Sequence, residues 1–101
     1  MHTRNTIIVN IQSIRGEKYD HTVRLKPGDH EFIVHDSFVN YRLARIISLD
    51  ELEAKIRTGT AVMKKPFRDA ILQRICEGIC KSDFTPIEVV EMYQSSLFSG
   101  L

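Results

Sequence analysis

Neither sign of charge is in excess in this chain. Over 101 residues, 14 lysines and arginines stand against 13 aspartates and glutamates, a formal net charge of +1 with the histidines neutral. A domain held to nucleic acid by bulk electrostatics carries a far more basic balance, so such binding would have to come from a few well-placed cations. Long apolar runs are also missing. No stretch reaches the roughly 20 residues that a membrane-crossing helix needs, and the N-terminal MHTRNTII has no apolar signal segment; the expected location is the cytoplasm, with no membrane partner. Cysteine is scarce. Cys76 and Cys80 lie four apart in a helical pattern, too few for a disulfide framework, and read as free thiols. A structural zinc site wants four ligands, and no second Cys/His pair stands at a suitable spacing. Gly-rich phosphate loops, nucleophile elbows and HExxH are absent as well. Neither cofactor nor metal is expected.

What is present is one domain spanning residues 1–101, with a β core over 1–47 and a helical part over 48–101. Asn5 to Ile14 (NTIIVNIQSI) alternates with period two, Ile7, Val9, Ile11 and Ser13 on one face, and reads as a strand. Arg15-Gly16-Glu17-Lys18 is a turn, and His21 to Leu25 a short strand that would pair with the first as a hairpin. Pro27-Gly28-Asp29 marks another turn. His30 to Val34 follows as a third strand, with His30, Phe32 and Val34 sharing a face. After His35-Asp36-Ser37, Phe38 to Ile47 is the fourth, with Val39, Tyr41 and Leu43 on one side and Asn40 and Arg42 on the other. At Ser48 the period changes. Ser48 and Glu51 form a capping box, and Leu49, Leu52 and Ile56 make the stripe of a helix that ends at Gly59. Ala61 to Phe67 is a connector. A second helix runs from Arg68 to Lys81, burying Ile71, Leu72, Ile75, Cys76 and Ile79, with Gly78 as a weak point. Thr85-Pro86-Ile87-Glu88 starts a third, with Thr85 as N-cap, Pro86 at N1 and Glu88 at N3, carrying Ile87, Val90 and Tyr93 and fraying over Ser95 to Ser99. The class is α+β.

Of the four histidines, His2, His21, His30 and His35, the last two stand at odd spacing on one short strand, so they point apart and do not share a metal. Core or turn roles suit them better. Ser13 and Arg15 end the first strand together, where a hydroxyl beside a guanidinium can hold a phosphate; the plainer reading is a serine closing the ladder and a solvated arginine. Arg42 and Arg45, with Arg4 and Arg24, add a modest basic surface among interspersed acids.

The segments Gly28-Asp29-His30-Glu31-Phe32 and Ser37-Phe38-Val39-Asn40-Tyr41-Arg42-Leu43-Ala44, preceded by a VN-containing strand and followed by amphipathic helices, resemble small bacterial proteins grouped with the PemK/MazF toxins. The resemblance runs from about Ile7 to Tyr93. It implies a small antiparallel SH3-like or PemK-like sheet or partial barrel followed by three helices. It also implies metal-independent cleavage of single-stranded RNA, a homodimer and an antitoxin-like protein partner. Ser13 matches the toxins' strand-end Thr or Ser. Their arginine-bearing loop between the first two strands has no counterpart here, and Arg15 is the candidate cation beside Ser13. His30, Arg42 and Arg45 are then candidates for RNA contact. Two functions stay open: a toxin-like RNA-binding protein, active or decayed as an endoribonuclease, and a non-catalytic protein-interaction module that uses an exposed edge strand.

Overall fold

A computed structural model describes residues 4–59 and 67–99. Three strands, β1 (Asn5–Ser13), β2 (Arg24–Leu25) and β3 (Ser37–Ser48), precede three helices, α1 (Leu49–Arg57), α2 (Asp69–Lys81) and α3 (Ile87–Ser99). The α+β class expected from the change of period is what is found. The strand pairing is not the expected one. The antiparallel sheet has the order β1-β3-β2, so β1 and β2 do not form a hairpin; each pairs with the long central β3. Val23, Leu25, Val39 and Tyr41 are buried in one cluster with Ile71, Ile75 and Ile79 of α2 and Val89 of α3, and Ile7, Val9 and Ile11 pack against it. Burying one such side chain stabilises the fold by about 1.5–3 kcal/mol, which is why a two-residue strand such as β2 holds its place.

The strand expected over His30 to Val34 is absent, because local hydrogen bonds turn the chain there instead. The Asp29 side chain accepts from the Lys26 N–H at 2.8 Å, and its own N–H donates to the Lys26 carbonyl at 3.0 Å. The Ile33 N–H then donates to the His30 carbonyl at 3.0 Å, closing a second turn. Short side chains that bond nearby backbone compete with a ladder in this way. The inward residue is consequently Ile33, 4% exposed, while Phe32 and Val34 point out.

β3 departs from simple alternation too. Ile8 lies opposite Arg45 and Asn10 opposite Asn40, so β3 advances five residues while β1 advances two. The extra residues change the face that follows. Val39 and Tyr41 are fully buried as expected, but Leu43 is exposed and Ala44 and Ile47 are buried in its stead.

The helix starts are closer to expectation. Ser48 caps α1, its Oγ accepting from the Glu51 N–H at 3.0 Å, and Gly59 follows the helix with a φ of +82°, a left-handed value that favours glycine. No residue of α1 is fully buried. In α2 the buried stripe is Ile71, Ile75, Gly78 and Ile79; Leu72 is exposed and Cys76 half-buried. Among the described side chains of α3, Val89 is buried and Ile87 is 67% exposed, and the helix continues to Ser99 without fraying at Ser95. Thr85 Oγ1 is buried without a hydrogen-bond partner, so the α3 cap expected from it is not made; the Pro86 carbonyl accepts from the N–H groups of Val89 and Val90. Most of the expected connector, residues 61–66, and His2 lie outside the described residues.

Candidate functional site

Leu25 is the residue that orients the candidate site. Its side chain is 2% exposed and points into the core, so its neighbours Arg24 and Lys26 point the other way, toward solvent. Across from them, Arg74 stands on α2 between the buried Ile71 and Ile75 and donates from Nη2 to the Arg24 carbonyl at 2.9 Å. These three cations line a cavity of about 600 Å³ together with Ile14, His21, Thr22, Leu25, Asp29 and Asp36. The Asp29 carboxylate is engaged by the Lys26 N–H and lies 3.8 Å from the Arg68 guanidinium.

A second cavity, about 430 Å³, is lined by Lys18, Tyr19, Asp20, Asn40, Arg42 and Phe84. The Arg42 guanidinium lies over the half-exposed Phe84 ring, 4.8 Å from its centroid. The linings of the two cavities meet in one ring pair. Tyr19 of the second stacks on His21 of the first, with ring centroids 4.0 Å apart and planes 28° from parallel, and Tyr19 also meets Phe38 at 5.2 Å. The loop carrying Tyr19 and His21 is pinned by Asp20, whose carboxylate accepts from the Ser82 hydroxyl at 2.6 Å and from the Thr22 N–H at 2.9 Å. Burial works to raise the Asp20 pKa, but the hydrogen bonds from Ser82 and Thr22 outweigh it and hold the carboxyl below its ordinary value.

The residues singled out from sequence fall in different places. Ser13 is half-buried in the ladder opposite Ser37, and Arg15 is exposed beyond the strand end; they flank Ile14, which lines the first cavity. His30 is buried, its ring clustered with those of Phe32 and Phe67 at 4.5 and 4.8 Å, the two phenyl rings themselves meeting at 5.8 Å, with Nδ1 accepting from the Phe32 N–H at 3.3 Å. Arg42 joins the second cavity, whereas Arg45 is exposed opposite Ile8 and lines neither. The site residues that sequence reasoning passed over are Lys18, Lys26, Arg74 and Phe84. Arg24 and Lys26 on either side of an inward Leu25 are a legible period-two signal; nothing local marks Arg74, which reaches the site from 50 residues away.

Cys76 and Cys80 are both free thiols, Cys76 half-buried and Cys80 exposed. Among the described residues no three His, Cys, Asp or Glu side chains are grouped so as to hold a metal ion, and no helix is long and apolar enough to cross a membrane. No family model, curated protein or solved structure matches the chain.

Proposed function

We propose that this protein binds single-stranded RNA across the surface that joins the two cavities, in the manner of a small PemK/MazF-like module with an SH3-like sheet. The observation that carries the reading is the Tyr19–His21 stack between two cation-lined cavities, with the Phe84 ring at the far side. Sequence-tolerant binding of single strands uses this combination: cations that follow the phosphates and ring faces on which bases stack, each worth about 1–3 kcal/mol. A net charge near zero is compatible with it, because Lys18, Arg24, Lys26, Arg42 and Arg74 line the two cavities beside the rings. Fluorescence anisotropy with a uridine-rich 12-nucleotide RNA tests the reading. Micromolar binding that weakens with salt and is lost in the Tyr19→Ala, Lys18→Gln double variant supports it; binding that is indifferent to both removes it.

Cleavage is the finer form of this proposal, and Ser13 and Arg15 are its candidates. Attack by a 2′-hydroxyl needs both proton transfer and stabilisation of phosphorane charge. If RNA is cut in the presence of a chelator, Ser13→Ala should slow the cut at least about tenfold.

A second reading has its own observation. β1 is an outer strand of the sheet, and from Asn5 to Ser13 it carries neither charge nor proline, the usual guards of an exposed edge. Such an edge suits an interaction module, pairing with a second copy as a homodimer or accepting a strand from an antitoxin-like protein.

A further inference from the structure

We propose that the cavity between β2 and α2 takes a terminal phosphate, the dianionic monoester at the end of an RNA strand or on a free nucleotide; the RNA form of this proposal rests on the function inferred above. The cavity is larger than a phosphate alone, and about 600 Å³ falls in the range that holds a small ligand. Its charge is the first argument. Arg24 and Lys26 from one side and Arg74 from the other bring three cations to its lining, against the carboxylates of Asp29 and Asp36. The charge of Asp29 is partly offset by the Lys26 N–H and by Arg68 at 3.8 Å, so Asp36 is the less compensated of the two carboxylates that oppose an incoming anion. A backbone diester carries one negative charge, whereas a monoester carries about 1.5–2 at neutral pH and offers three terminal oxygens, which better matches three convergent donors.

Preorganisation is the second argument. Arg74 is tethered by its bond to the Arg24 carbonyl, which uses one of its five N–H groups and leaves the others for a ligand. Arg24 and Lys26 are aimed by the burial of Leu25 between them, so neither has to be ordered from a free loop. His21 also lines the cavity and stacks on the Tyr19 ring, so a nucleotide whose phosphate sits among the cations has an aromatic surface beside it.

The test uses the full chain and a labelled 10-nucleotide RNA bearing a phosphate at its 5′ end, at its 3′ end or at neither, with adenosine monophosphate as the free nucleotide. A terminal phosphate should tighten binding about tenfold, and the monophosphate should compete. Arg74→Gln and Lys26→Gln, both on exposed side chains and checked for an unchanged melting curve, should each abolish the gain, while Asp36→Asn should enlarge it. Equal binding of all three RNAs, with no effect of either cation variant, overturns the cavity proposal and leaves RNA binding standing. Binding of the monophosphate without binding of any RNA supports the cavity, assigns it to a free nucleotide and overturns the RNA reading. Binding of neither overturns both.

Discussion

Tyr41 packs on Gly78. The tyrosine, fully buried on β3, lays its phenol across α2 at the glycine and donates from its hydroxyl to the Ile75 carbonyl at 2.6 Å. A Cβ at position 78 would overlap the Tyr41 hydroxyl oxygen, stand 2.6 Å from Cζ and lie 2.8 Å from Val23 Cγ2. The glycine that looked like a flaw in the helix is therefore the space into which the sheet docks. Burial pushes the Tyr41 pKa far up, so the phenol stays protonated and remains a donor at every pH of interest.

Gly78→Ala should therefore destabilise the protein. On an exposed helix surface the change would gain up to about 1 kcal/mol. Overpacking against Tyr41 and Val23 reverses the sign, with an expected loss of about 2 kcal/mol or more, read from urea unfolding. Combining it with Tyr41→Phe should cost less than the sum of the two single changes, because part of the clash is the hydroxyl. Strict additivity would remove the contact from the explanation.

Asp20 should make stability depend on acid. Its pKa is lowered in the folded state, so its contribution is present above the ordinary value of 3.8 and is lost as pH falls through the lower folded value. Asp20→Asn should lower the melting temperature clearly at pH 7, and the gap should narrow as pH falls below 3.8. A gap that does not change with pH would show that the charge does not matter. Since Ser82 Oγ also accepts from the Phe84 N–H at 3.1 Å, Ser82→Ala should weaken RNA binding as well as stability.

The two thiols should differ in rate. Cys76 is half-buried, with its pKa raised by burial and secondarily by Glu77, so it forms less thiolate than an ordinary thiol; Cys80 is exposed. A maleimide at pH 8 should label Cys80 first and Cys76 only after unfolding. Equal rates in the folded protein would mean that α2 does not hold Cys76 as described.

The outer strand makes a prediction about assembly. Antiparallel pairing of β1 with its own copy would satisfy a row of N–H and C=O groups by one two-fold axis. Sedimentation at micromolar concentration should give a dimer, and Ile8→Lys a monomer. A wild-type monomer, or a dimer indifferent to the lysine, would take β1 out of the interface.

Features that depend on near neighbours are legible in the chain alone. The alternation of Ile7, Val9 and Ile11 specifies β1, the Ser48–Glu51 cap starts α1, and the spacing of Ile71, Ile75 and Ile79 sets the buried side of α2, because each is a preference settled within a turn or two of chain. Tertiary structure decided the rest. Only the long β3, with room on both edges, could place β1 and β2 on opposite sides of itself, and its extra residues opposite Val9 turned Leu43 out and Ala44 in. The alternation from His30 to Val34 lost to hydrogen bonds accepted by the Asp29 carboxylate and by the ring and carbonyl of His30, which no hydrophobic pattern encodes. The candidate site belongs to the same class: Arg74 meets Arg24 across 50 residues and Ser82 meets Asp20 across 62, and contacts that distant exist only once a shared core has brought α2 against the sheet.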